Sequence, residues 1–473
     1  MTRDKKPDFP TKQLAILLAC RLVEPLAVAS VVPYLLFMVQ HVGDKSLRED
    51  DAEATRIVTL LFAAYAGAQF ITNMFWGRIS DLVGRRPVML LGLASTFVGT
   101  FGFGFSQSIP AMFFFRIVPG LLSGNVVIVR TIIGEITRGR ENKATAFAWN
   151  QTAFQIGYVV GPIFGGYLSQ PCNKFPYICE EQRFPFLRAF PFALPNLVIS
   201  MLSALSLIGG YLFIEESLDT EPRLTTTNIS SERSPLLPST SSEEVVAKEK
   251  NPPWTDILTA PVFHIVLCYL LMDLHTICFD QIFPVFLATR SAPSHPPFQL
   301  NGGLELSAVT VANFVSGAGI LSILLMLTVF PRLSAHIGSL AGLRLSLLLF
   351  PLTYFALPYL ALLPLSPSWA RTLGVAVVVC AKTLAAVFAF NESAVLLHVC
   401  APGARTLGLV NGVALTASAG GRAVGPAVMG LFIELGHAID CGALGWFFLA
   451  LVAAAGAVQA FWVVDDAGEE DED

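Results

Sequence analysis

The stretch CRLVEPLAVAS (20–30) puts Arg21 and Glu24 three residues apart in an otherwise apolar run. Positions three apart share a face of a helix. A carboxylate removed from water is readier to hold a proton, and a neighbouring guanidinium opposes that by favouring the charged form. The chemistry open to such a pair is the binding and release of a proton. Two more acids, Asp273 and Asp280, stand seven apart in LLMDLHTICFDQIFP, again on one helix face. Arg116 interrupts FFFRIVPGLL, and Lys382, Glu392 and Arg422 interrupt later apolar runs. Ionisable groups inside apolar segments are expensive and mark ion or substrate routes. The proton-coupling candidates are therefore Glu24 first, with Arg21 and Arg116 tuning it, then Asp280 and Asp273.

Other chemistries lack their residues. The seven His show no ligand-like spacing, so no metal site is expected. No G-x-x-x-x-G-K-[ST] loop is present to cradle a nucleotide phosphate. No catalytic group, enzyme activity, cofactor or nucleic-acid partner is expected.

The elements that hold these groups are long and oily. Of 473 residues, 54% are hydrophobic and only 14% charged, and the mean hydropathy is +0.62. Soluble chains carry about 25% charge. Roughly 20 apolar residues in a helix cross a bilayer, and twelve such segments can be marked, from 13–39 to 442–463. The expectation is an all-α, multi-pass membrane protein of twelve transmembrane helices. Arg21 and Glu24 inside the first run argue against a cleaved leader. Lys and Arg concentrate on the side of the N-terminus and central linker, which places both termini in the cytosol.

A Ser-, Thr-, Pro- and Glu-rich stretch divides the chain into six segments and six. The division reads as a cytosolic N-terminus (1–12), a first six-helix half (13–214), a disordered cytosolic linker (215–260), a second half (261–463) and an acidic tail (464–473). The halves echo each other. GYVVGPIFGG (157–166) and GRAVGPAVMG (421–430) share G-x-x-x-G-P, giving the packing set Gly157, Gly161, Pro162, Gly165, Gly166, Gly421, Gly425 and Pro426. WGRISDLVGR (76–85) aligns with FPRLSAHIGS (330–339): Arg78, Ser80 and Gly84 match Arg332, Ser334 and Gly338, while Asp81 becomes Ala335. Small residues let membrane helices approach closely, so the glycine-proline pairs are pivots, seals or static packing.

These motifs resemble the major facilitator superfamily over nearly the whole chain. The loop signature is Gly77, Asp81, Gly84, Arg85 and Arg86; RIVPGLLSGN (116–125) is similar to the family's fourth-span motif. RLVEP, FDQIFPVFL and RFPFLRAFPFALPN look like the twelve-span drug:proton antiporter-type branch, near zinc-induced-facilitator-like and related fungal transporters. The resemblance implies two pseudo-symmetric halves that rock about a midplane site and export or sequester a small solute in exchange for protons, as a monomer. It also implies that Asp81 meets a helix N-terminus of the other half, latching the outward-open state. Two alternatives stay open: a proton-independent facilitator, and a non-transporting membrane sensor. Cavity candidates are Tyr34, Asn73, Asn150, Gln151, Gln155, Tyr158 and Asn411, with Gln69 beside them. Cys172 and Cys179 flank NKFPYI and are a candidate disulfide, with Cys441 a competitor. ERSPLL (232–237) looks like a sorting signal for vacuolar or lysosomal membranes; the plasma membrane is the other address.

Overall fold

A computed structural model of the chain describes residues 10–137, 140–175, 185–217, 259–294, 296–363, 368–400 and 407–463. The central linker, the sorting-like ERSPLL, Cys179 and both tails lie outside the described residues.

Among the described residues, twelve long helices run back and forth. In the first half they are α1 (Thr11–Val31, resuming as Leu35–Val42), α2 (Asp51–Val83), α3 (Arg85–Gly104), α4 (Ile109–Leu122, resuming as Asn125–Ile136), α5 (Arg140–Leu168) and α6 (Ala193–Phe213). In the second they are α7 (Ala260–Ala288), α8 (Ala308–Thr328, followed by Phe330–Ile337), α9 (Ser339–Ala356, with a 3-10 extension Leu357–Leu362), α10 (Ser368–Val399), α11 (Leu407–Ala438) and α12 (Leu444–Gln459). Ten are long and apolar enough to cross a membrane. The other two, α5 and α11, are 29 and 32 residues long and carry the glycine-proline motifs. Among the described residues there is no strand, only one isolated bridge. The architecture is an all-α multi-pass membrane fold, as expected.

Contacts repeat with a shift of six helices. α1 packs on α5 as α7 packs on α11; α3 packs on α6 as α9 packs on α12; α2 packs on α4 as α8 packs on α10. Between halves, α2 meets α11 and α5 meets α8, a pair that exchanges under the same shift. That is the signature of a pseudo-twofold axis.

The repeated sequence words explain the geometry. Gly84 alone joins α2 to α3, at φ 110° and ψ 156°; Gly338 joins the end of α8 to α9 at φ 81° and ψ 155°. Glycine is the residue that takes such angles without a Cβ clash. Gly77 does not turn the chain: helix α2 continues through it to Val83, so the expected loop shrinks to one residue. A Cβ on Gly157 would lie 2.8 Å from the Leu22 carbonyl, and one on Gly161 2.8 Å from that of Leu26, so α5 lies backbone-to-backbone on α1. Gly421 and Gly425 do the same for α11 on α7, 3.2 Å from the Leu270 and Leu274 carbonyls. Four residues beyond each proline, Gly166 faces Ala308 and Ala312 of α8, and Gly430 faces Thr59 of α2. The last glycine of each motif thus closes a contact between halves.

The face where α1 begins and α6 ends is called terminal here, and its opposite distal. Side chains of the two halves bond each other at the distal face. Arg56 pairs with Glu434 at 2.8 Å, Tyr167 donates to Asn313 Oδ1 at 3.1 Å, and the Arg290 N–H donates to Asp51 at 2.9 Å. Together with the contacts of Gly166 on α8 and Gly430 on α2, these bonds seal the chamber between the halves distally.

Candidate functional site

Glu24 is the centre of a polar cluster in the first half. It is 6% exposed, on α1 immediately before Pro25. Arg21 Nη1 donates to Oε2 at 3.0 Å, one turn back on the same face. Oε1 accepts from Gln69 at 2.7 Å, Ser123 at 3.3 Å and Tyr65 at 3.4 Å. Arg21 also lies over the Phe154 ring, 5.2 Å from its centroid. The carboxylate therefore has one charged donor and three neutral ones, which can hold the oxygen in either protonation state.

Arg116 is 6% exposed on α4 and makes no ion pair among the described residues; its Nε and Nη2 lack hydrogen-bond partners. Its guanidinium rests between aromatic rings, 4.8 Å from Phe103 and 5.9 Å from Tyr65. It shares a small cavity with Glu24, Tyr65 and Asn196.

In the second half, Asp273 on α7 is 8% exposed and accepts a hydrogen bond from Ser418 of α11. Asp280, two turns further on, is half-exposed and pairs with Lys382 of α10. His275 is fully buried with Nδ1 2.9 Å from the Tyr354 hydroxyl, away from the two acids. Glu392 is completely buried, and neither carboxylate oxygen has a partner among the described residues.

At the terminal face, Arg85 is the hub. It pairs with Asp81, donates to Ser80 Oγ at 2.8 Å, and reaches Glu135 through Nε at 3.2 Å and Nη2 at 3.1 Å. Glu216 accepts from the N–H groups of Arg85 (2.8 Å) and Arg86 (3.1 Å), capping the start of α3 with negative charge. Arg86 bonds the Tyr211 carbonyl and lies over its ring. Asp81 is 61% exposed by its side chain and stays within its own half.

The cavity candidates scatter. Tyr34 is fully buried, accepts from Asn196 at 2.8 Å and stacks on Phe192, so it is not open to the chamber. Asn150 is buried with an unpartnered Oδ1; Gln151 is exposed; Gln155 and Tyr158 are half-buried, with Tyr158 against Phe154. Tyr158 lies within the fields of Asp280 and Arg422 from the other half. The side chains of Asn73 and Asn411 lie outside the described residues. Cys172 is disulfide-bonded and Cys441 is free. Residue-by-residue reading missed Tyr65, Ser123, Glu135 and Glu216. Tyr65 precedes Gln69 by one turn, a spacing that could have flagged it; the others come from distant segments and leave no local trace.

Repeated six-helix halves around a polar chamber sealed at one face define a membrane transporter. The sequence pattern of the Major Facilitator Superfamily matches residues 17–426. The chain belongs to that superfamily. It is 31% identical to the major facilitator superfamily multidrug transporter mfsB of Aspergillus fumigatus, over 99% of this chain and 86% of that one. It is 25% identical to ZINC INDUCED FACILITATOR-LIKE 1 of Arabidopsis thaliana, over 96% and 91%. Among solved structures, a D-xylose-proton symporter aligns with a TM-score of 0.69 at 11% identity, over 97% of this chain and 99% of that one. At that identity the likeness speaks for the fold.

Proposed function

We propose that this chain is a monomeric secondary active antiporter that moves a small solute out of the cytosol, by export or sequestration, in exchange for protons. The termini and linker are cytosolic in this reading, residues 13–214 and 261–463 are the two rocking units, and the distally sealed conformation is the inward-open one. Glu24 carries the proton. The observation behind this is its setting: a buried carboxylate in a membrane helix, held by one arginine and three neutral donors. On protonation, Arg21 loses its counter-charge while Gln69, Ser123 and Tyr65 can still bond the acid. The freed Arg21 then biases the packing of α1 against α5 through Phe154. The multidrug transporter to which the chain is similar supports solute transport as the class of activity.

The test is counterflow in proteoliposomes. Vesicles loaded with candidate solutes receive a pH gradient, and solute and proton movement are read together. Gradient-driven counterflow lost in Glu24→Gln, with solute exchange at equal pH retained, is the expected result. Unchanged coupling in that variant would leave the Arg21–Glu24 pair as a static strut and pass the role to Asp280 or Asp273.

A further inference from the structure

Two of the acids along the chamber are paired with cations, whereas two of its arginines, besides the ring-held Arg116, have no such partner. Glu24 is held by Arg21 and Gln69, Asp273 by Ser418, and Asp280 by Lys382. Arg130 on the second segment of α4 and Arg422 on α11 are both exposed, and neither forms an ion pair or hydrogen bond among the described residues.

Arg422 does not face lipid. On α11 the outward stripe is Val424, Leu431 and Leu435, each more than half exposed. At about 100° per residue, Arg422 lies on the opposite side of the helix. One turn earlier on Arg422's own face, Ser418 is buried against Asp273 of α7, which fixes that face inward. One turn further along Arg130's face, Gly134 meets nothing within 4 Å of its Cβ position, so that face is open, and the charges that act on Arg130 are those of Arg21 and, from the other half, Arg422. These two guanidiniums, contributed by opposite halves, stand against one acid that no cation pairs, Asp273, on which Arg422 acts, so net positive charge remains between the halves. Guanidinium recognises carboxylate, sulfonate and phosphate in a two-pronged geometry. Phe154 and Tyr158 of α5 offer ring surface nearby, and Tyr158 lies in the field of Arg422.

We infer that the substrate is an organic anion whose acidic group is gripped between Arg130 of the first half and Arg422 of the second. A ligand bridging both halves stabilises their approach at the terminal face, which is what a transported substrate must do. This rests on the transporter reading of the chamber but not on proton exchange.

The test is binding to the purified full-length chain in nanodiscs, by equilibrium dialysis and thermal shift. The probes share one body: 1-naphthoate, naphthalene-1-sulfonate and naphthyl phosphate against naphthylmethylammonium and naphthalenemethanol. At least one anion should bind more tightly than the cation and the alcohol. Arg130→Gln and Arg422→Gln should each weaken it about tenfold or more, and Arg422→Lys should recover part of the loss. Equal or tighter binding of the cation, failure of all three anions, or anion binding unchanged in both Gln variants would overturn the inference. Size-exclusion profiles and the Lys variant separate lost binding from lost folding. Anion binding without proton-driven counterflow would refute the antiport reading alone; counterflow of the cation would refute the anion site alone.

Discussion

The two halves share a skeleton and differ in charge. Gly84 and Gly338 turn the same corner at nearly the same ψ, and Gly166 and Gly430 close the same kind of contact four residues after a proline. At the terminal face the first half then adds Asp81, Arg85, Glu135 and Glu216, while the second has Ala335 and Ser339 where Asp81 and Arg85 would stand. Deeper in the bundle the first half clusters four donors on one carboxylate, and the second spreads its acids singly: Asp273 on a serine, Asp280 on a lysine and, nearer the terminal face, Glu392 on nothing described. Backbone geometry is what a duplicated bundle must keep to fold at all. Charge is free to specialise, and here it has gathered in one half.

The largest test of that asymmetry concerns protons. Glu24→Gln should reduce pH-driven counterflow by about tenfold, equivalent to ~1.4 kcal/mol of coupling, whereas Asp273→Asn should change it by a few-fold at most. Comparable losses in both variants would mean the halves share the proton, and the contrast drawn above would fail.

Packing should break the symmetry next. A Cβ on Gly165 would fall on the carbonyl of Ser30, a backbone atom that cannot step aside, while one on Gly425 would meet the Cys278 sulfur at 2.7 Å, a side chain that can rotate. Gly165→Ala should therefore cost about 1–3 kcal/mol, and Gly425→Ala less. Gly420, with nothing within 4 Å of its Cβ position, is the control and should be near neutral. Thermal unfolding of the three variants in one detergent reads the order. A Gly425→Ala cost equal to that of Gly165→Ala would show the α7–α11 seam to be as rigid as α1–α5.

The same contrast marks what the sequence made legible. Helix count, the six-and-six division and the glycine-proline seams follow from periodicity and short motifs, because each is set by neighbours within a turn or two. Ten helices pass on length and apolarity alone. Glu24 and Arg21 stood out because a charge in an apolar run is costly wherever the helix points. Glu135 and Glu216 did not, since an acid near a helix end looks like any solvated residue until folding brings it to Arg85, 50 and 131 residues away in sequence. The hinge was misjudged for a related reason. Gly77 resembles a turn residue, but its neighbours favour helix and only Gly84 needs a positive φ.

A smaller effect should come from Asp81. Its own side chain is largely exposed although Arg85 is buried, and pairs with an exposed partner contribute about 0–1 kcal/mol. Arg85 also keeps Glu135 in Asp81→Asn, so stability should barely move. If Asp81 engages the other half when the terminal face closes, the variant should instead shift the conformational balance. A cysteine placed at the exposed Gln151 should then react faster with a polar maleimide added from the terminal side. Equal labelling rates with and without the substitution would remove the latch, leaving Arg85 and Glu135 as plain scaffolding.

The smallest effect lies where α5 and α11 end, at the distal face. Both ends use a left-handed non-glycine residue, Gln170 at φ 50° and Asp440 at φ 55°. In the second half the chain closes on itself, the Cys441 N–H donating to the Gly436 carbonyl at 2.7 Å. In the first half the Lys174 ammonium does the work, bonding the carbonyls of Gly166, Tyr167 and Ser169. Burial pushes Lys174 down from 10.5 to about 8. Its folded value is thus below its unfolded one, so between pH 8 and 10.5 the unfolded chain binds more protons and stability rises with pH. Below pH 8 this group contributes no slope. Lys174→Gln should therefore lose a small pH-dependent gain: wild type should improve slightly relative to it between pH 7.5 and 9.5, by thermal midpoint. Partial exposure of the side chain damps the size but not the sign. The reverse sign would mean that the ammonium's bonds to three carbonyls outweigh its lost hydration, making the first half's helix end as dependent on charge as its terminal face is.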